Sequence, residues 1–209
     1  MKKSAYLFAA EVDRLIEALP YDHYHRRVGR AKTLREELLP LSRLALLLKQ
    51  PGLEVEVEAF EDGGRADGHM RISGFHELEF EVQLTYAGYG DKEYLRSEML
   101  VLQGCVPGAG SIQREKRNGP ITAEIAAQDH DAHLSRASRA VVEAFERKKV
   151  KSYAIGTALV ITFCEVRLSG KSEWSSLLDG IEEAGGLHGS QFASVYIFNE
   201  ASNEIHRAA

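Results

Sequence analysis

Residues 77–85, Glu-Leu-Glu-Phe-Glu-Val-Gln-Leu-Thr, alternate polar and apolar side chains without a break. A period of two belongs to a β-strand, whose successive side chains leave opposite faces. Leu78, Phe80, Val82 and Leu84 therefore share one face, and Glu77, Glu79, Glu81 and Gln83 share the other. One such strand needs neighbours, and the preceding residues supply them. Leu53, Val55 and Val57 alternate with Glu54, Glu56 and Glu58, and residues 65–73 read as a second strand. Glu61-Asp62-Gly63-Gly64 and Gly74 mark turns between them, so the three segments predict an antiparallel meander. Later strands read differently. Residues 157–166 form an almost continuous apolar run, as expected of a strand covered on both faces. Residues 194–198 are also apolar, and 203–207 predict a short closing strand.

Helical spacing fills the intervals. Phe8, Val12, Leu15, Ile16 and Leu19 predict a helix over 4–18 that Pro20 stops, followed by a polar connector over 21–30. Leu34, Leu38, Leu41, Ala45 and Leu48 predict a helical region over 31–49, kinked or restarted at Pro40. That stripe reads as core or as the face of a homodimer. After Gly88 and Gly90, Asp91 is placed to cap a helix over 92–103. Asn118-Gly119 predicts a tight hairpin within 111–126, weakened by Pro120, and helices follow over 130–149 and 172–184. The fold class expected is α/β, with residues 1–30 as a helix and connector and 31–209 as one α/β domain.

With 209 residues, 44% hydrophobic and 27% charged, the chain has the balance of a globular protein able to bury a core without disulfides. Neither a membrane span nor a signal peptide is expected, which points to the cytoplasm. Cys105 and Cys164 lie in no CxxC pair and read as buried small apolar residues. The net charge of −5 argues against coating nucleic acid by bulk charge. Basic residues nevertheless cluster at Arg26, Arg27, Arg30, Lys32 and Arg35, at Arg114, Lys116 and Arg117, and at Arg147, Lys148, Lys149 and Lys151. A charge run of this kind ordinarily forms a solvated face.

The polar face of the meander carries the chemistry. If its strands pair, Asp67 and Glu81 approach each other on one face. Two close carboxylates repel unless a cation separates them, and oxygen ligands suit Mg²⁺ or Mn²⁺. A metal so held activates water and neutralises charge on a phosphate. The bland alternative is that alternating glutamates form a solvated strand face.

An acidic residue opening one strand, followed by Glu-x-Lys on the next, is the signature of the PD-(D/E)XK nuclease superfamily. Asp67 and Glu81-Val82-Gln83, with the segment EVQLTYAGYGDKEYLRSEML, resemble that pattern over about residues 31–164. The resemblance implies a restriction-endonuclease-like core of helix, three-strand meander, further helices and strands, and a mixed central sheet. It implies Asp67, Glu81 and Gln83 as catalytic residues and Asp67, Glu81 and a helical glutamate, Glu37 or else Glu36, around Mg²⁺ or Mn²⁺. Glu79 and His69 are secondary candidates. Ala66 stands where the motif has proline, and Gln83 where it has lysine, so the water-activating charge is missing from its usual place. The expected partner is nucleic acid, DNA in preference to RNA, contacted through Arg114, Lys116 and Arg117. Competing expectations are a nuclease-fold module that has lost catalysis and binds nucleic acid or protein, and a subunit assembling through its N-terminal helices. Asp22-His23-Tyr24-His25, His130 and His133 read as exposed polar groups, and Gly104–Gly110 lacks the lysine and serine or threonine of a phosphate loop.

Overall fold

The wet and dry strand patterns mark two halves of one sheet. The computed structural model describes residues 2–60, 66–88, 91–108, 110–117, 119–127, 129–164 and 166–209. Its elements are β1 (Lys3–Ser4), α1 (Ala5–Glu17), α2 (Tyr21–Arg26), α3 (Arg30–Thr33), a π-helical turn (Leu34–Leu38) and α4 (Leu39–Leu48). Then come β2 (Glu54–Ala59), β3 (Gly68–Ser73), β4 (Leu78–Tyr86), α5 (Asp91–Gln103), β5 (Ile112–Arg114) and β6 (Ile121–Ala123). The chain closes with α6 (His130–Lys149), β7 (Ala158–Phe163), α7 (Lys171–Glu183), β8 (Ser194–Asn199) and β9 (Glu204–Arg207).

Among the described residues, the main sheet has the order β1-β2-β3-β4-β7-β8-β9. The meander β2-β3-β4 is antiparallel, whereas β4, β7 and β8 run parallel. This mixed α/β architecture matches the coarse expectation. One face buries Val55, Val57, Met70, Ile72, Val82 and Leu84 under α1 and α4. The other face is covered by α6 and α7, which bury Leu159, Ile161, Phe163, Val195 and Ile197. β7 is buried along its whole length because both layers cover it, and hence its apolar run. On β2, Glu54 and Glu56 are exposed while Val55 and Val57, alternating with them, are buried. The N-terminal helix adds Ala5, Phe8 and Val12 to the core, and β1 extends the sheet edge. No described helix is long and apolar enough to cross a membrane.

Several expectations need correction. Residues 21–26 form a helix, not a polar connector, and it ends where Arg27 adopts a left-handed conformation with φ 54°. A bulky residue there is uncommon and is held by its contacts. The hairpin β5-β6 pairs Ile112–Arg114 with Ile121–Ala123. Asn118, the 61–64 turn, Gly90 and the Asp91 side chain lie outside the described residues. Leu78, expected inward, is 48% exposed because it starts β4 beyond the helical cover. Cys105 is exposed and Cys164 is only half-buried, among polar groups.

Pro40 explains the π-helical turn. Proline has no N–H and crowds the carbonyl four residues earlier, so a regular helix cannot run through it. The Leu39 N–H reaches back instead to the Leu34 carbonyl, and α4 begins with the proline in its first turn. The wider turn sends three consecutive charged residues, Arg35, Glu36 and Glu37, to separate destinations in the site below. Such turns recur at functional sites.

Gly68 lets α4 lie close to the sheet. A Cβ there would stand 2.8 Å from Leu41 Cδ2 and 3.2 Å from the Glu58 carbonyl oxygen. Gly68→Ala is expected to destabilise the fold by about 1–3 kcal/mol through overpacking, read as a lower urea midpoint with unchanged slope.

Candidate active site

β4 changes partner at Val82. It pairs with β3 up to Gly68–Val82 and with β7 from Val82–Ala158 onward. Asp67 lies one residue before β3, and its N–H donates to the Val82 carbonyl (3.0 Å). Asp67 and Gly68 thus both stand against Val82, the two-against-one arrangement of a β-bulge, which re-aims side chains. Beyond the bulge the Leu84 N–H has lost its strand partner on that side. The Asp67 carboxylate takes its place, with Oδ2 accepting from Leu84 at 2.7 Å.

Around this point the structure brings together groups from distant parts of the chain. Lys148, near the end of α6, donates to Gln83 Oε1 at 3.2 Å and lies 4.0 Å from Asp67 Oδ2. Burial lowers the Lys148 pKa below the ordinary lysine value, Asp67 opposes the shift, and Lys151 adds to it. Glu81 shares the Gln83 face two residues earlier and stands opposite His69. Its Oε2 is buried without a hydrogen-bond partner among the described residues. Glu37 comes from the π-helical turn; burial raises its pKa first, then the charges of Asp67 and Glu36. Tyr153 also lies near Asp67, whose charge adds to burial in raising the phenol pKa.

Other candidates go elsewhere. Glu36 pairs with Arg27 at 3.3 Å. Glu79 forms surface ion pairs with Arg71 (3.3 Å) and His69 (3.9 Å), the bland reading of the glutamate face. Arg114 is paired with Glu98, whereas Lys116 and Arg117 are exposed on the hairpin connection. His130 pairs with Glu173 at 2.8 Å, and Arg136 donates to His133 Nδ1 at 3.0 Å.

Sequence reasoning missed two features. Lys148 was grouped with a solvated basic run, although it is largely buried in the site. Arg27 and Arg35, from another such run, form a buried polar cluster at the strand ends. Arg35 holds Glu200 by two bonds (2.5 and 2.9 Å), and the Tyr24 hydroxyl donates to the same carboxylate at 3.1 Å. Burial and Glu200 push the Tyr24 pKa up to about 12. Arg27 donates to the Tyr86 hydroxyl at 2.7 Å and to Glu93, with its guanidinium 4.2 Å above the Tyr86 ring.

The donor set can be weighed against a hard divalent cation. Among the described residues, no group of three His, Cys, Asp or Glu side chains forms a ready-made metal cage. Mg²⁺ does not require one, because it keeps several waters and takes only one or two carboxylates beside a substrate phosphate. The Glu37 carboxyl is crowded by the Asp67 charge, and the Glu81 Oε2 atom is buried without a hydrogen-bond partner among the described residues. Carboxylate oxygens of this kind have the donor chemistry that a hard divalent ion takes. Because burial disfavours charged Glu37, its contribution to stability is intact below the carboxylate range and is lost as pH rises through its raised pKa. Glu37→Gln is accordingly expected to raise the metal-free urea midpoint at pH 7 and leave it unchanged at pH 3.

Compared with protein-family models, curated proteins and solved structures, the chain matches none.

Proposed function

We propose that the α/β core is restriction-endonuclease-like and that the protein is a metal-dependent phosphodiesterase of the PD-(D/E)XK kind, cutting nucleic acid, DNA in preference to RNA. The observation that carries this reading is Lys148. Its ammonium donates to Gln83 and lies 4.0 Å from Asp67, so α6 brings a positive charge beside position 83, where the motif's lysine is missing. Helix, meander, helix and parallel strand in that order support the same reading.

Asp67, Glu81 and Glu37 would hold Mg²⁺ or Mn²⁺. When bound, the ion supplies an acidified water and charge neutralisation at the scissile phosphate. Gln83 orients the attacking water through its side-chain amide. Lys148 stabilises the negative charge that develops beside it. Lys116 and Arg117, exposed on the hairpin, would meet the phosphate backbone, whereas Arg114, paired with Glu98, positions the hairpin.

Cleavage of duplex DNA with Mg²⁺ tests this directly. Lys148→Met is expected to lower the rate by about a hundredfold, the scale of removing one electrostatic stabiliser. Adding Gln83→Lys to that variant is expected to restore much of the loss, because it returns the charge to the same place. Parental cleavage by Lys148→Met contradicts the assignment.

A second reading rests on Asp67 Oδ2, which already accepts from Leu84 and faces Lys148. A carboxylate satisfied in this way suits a nuclease-fold module that binds nucleic acid or protein without cutting. Cleavage gained from nothing by Gln83→Lys alone would favour it.

A further inference from the structure

The last turn of α6 runs beside the carboxylate site, and it is basic. Arg147 donates to the Tyr86 carbonyl at 3.2 Å, and Lys148 donates to Gln83 at 3.2 Å. From Gln83 to Tyr86 is three residues, so the two cations address points roughly 10 Å apart along β4. Beyond the helix end, the Lys151 N–H still donates to the Lys148 carbonyl (3.1 Å), which keeps Lys151 one turn from Lys148. Lys151 lies at the level where β7 begins. Its carbonyl accepts from Gln191, and Ala193 just beyond donates to Thr157, the residue before β7. Asp67 is at the same level, because β7 begins against Val82, whose carbonyl accepts from the Asp67 N–H. Arg147, Lys148 and Lys151 are thus ordered along β4, with Lys148 between the outer two.

A helix C-terminus attracts cations through its dipole, and that alone would account for a basic last turn. Lys149 has that character: it folds back on Glu146 (3.0 Å) and on the Phe145 ring. Arg147 and Lys151 differ from it. Both are exposed, and among the described residues neither forms an ion pair. Arg147 spends one donor on a carbonyl and keeps the rest of its guanidinium. The charge of Lys151 lowers the Lys148 pKa, so the two ammonium groups are close enough to repel. An anion lying across them offsets that repulsion. A single phosphate at Lys148 would leave the outer cations unused. A nucleic-acid strand would use all three, since its phosphates repeat on both sides of the one at the site.

We infer that Arg147 and Lys151 hold the phosphates flanking the one received at Lys148, so that a DNA strand lies along β4 and the end of α6. This assignment rests on nucleic acid as the partner in the proposed function, and not on cleavage.

Binding of a short fluorescent DNA duplex, followed by anisotropy without divalent ions over a series of salt concentrations, tests it. Arg147→Gln and Lys151→Gln are each expected to weaken binding and to lower the slope of log affinity against log salt by about one, the value of one phosphate contact. The double variant is expected to lower it by about two. Lys171→Gln removes the same charge at the opposite end of α6, where neighbouring Glu173 pairs with His130 (2.8 Å), and is expected to keep the parental slope. With Mg²⁺, Arg147→Gln and Lys151→Gln are expected to raise KM for cleavage several-fold at unchanged kcat, because flanking phosphates are held equally before and during reaction. Lys148→Met lowers kcat instead. The inference is overturned if the parent does not bind the duplex, if Arg147→Gln and Lys151→Gln keep its slope, if Lys171→Gln lowers the slope as much, or if their loss falls on kcat alone. A parent that binds with the expected slopes and never cleaves leaves this surface in place and removes the nuclease reading. Unchanged slopes with cleavage intact do the reverse.

Discussion

Asp67→Asn is expected to reduce Mg²⁺-dependent cleavage of duplex DNA by at least about a hundredfold while leaving the fold intact. The two consequences separate because the Asp67 side chain has two tasks. One oxygen caps the Leu84 N–H at the point where β3 begins, and an asparagine carbonyl accepts that bond equally well. The negative charge faces Lys148 and, with Glu81, the proposed cation; an amide has none to offer. Asp67→Ala removes both and is expected to lower stability as well, by about 1–3 kcal/mol for an unsatisfied backbone donor. Comparing the pair isolates chemistry from architecture. Parental cleavage by Asp67→Asn would remove Asp67 from the catalytic assignment.

Glu200→Ala is expected to destabilise the protein by about 3–5 kcal/mol, the cost of leaving a buried charge without its partner. The Arg35 and Glu200 side chains are only 8% and 4% exposed, and the pair is bidentate. Arg35 also holds the Tyr24 carbonyl at 2.9 Å and lies 4.4 Å above its ring, so α2, the π-helical turn and the end of β8 meet at this pair. The double replacement Arg35→Met with Glu200→Leu is expected to recover much of the loss, because neither buried charge remains. Urea unfolding measures both. A loss below about 1 kcal/mol for Glu200→Ala would mean that the pair behaves as a surface ion pair.

The parts of this architecture legible in the sequence were those with a local signal. The meander announced itself because one face of β2 is wet while α1 and α4 cover the other, and β7 because both faces are dry. α6 and α7 carried amphipathic spacing, and Pro40 marked the break before α4. The pairing of β3 with β4 followed from their tight connection. What escaped notice came from long-range contacts. Lys148 meets Gln83 across 65 positions, and Tyr86 meets Cys164 across 78. No spacing rule links such residues, so basic runs read as solvated faces and an isolated cysteine read as filler. α2 was missed because Tyr21–Arg26 has no buried residue and hence no apolar stripe. The π-helical turn that distributes Arg35, Glu36 and Glu37 depends on how a helix accommodates a proline, which the sequence locates without specifying its geometry.

The central claim is that Asp67 and Glu81 share a divalent cation. Crystals grown with Mn²⁺ and measured for its anomalous signal test it most directly. The account predicts a peak within about 2.0–2.6 Å of carboxylate oxygens from both residues, the range of hard-cation bonds. The same peak is predicted to vanish in Asp67→Asn. Crystals without a peak there, or with Mn²⁺ bound only elsewhere, would contradict it.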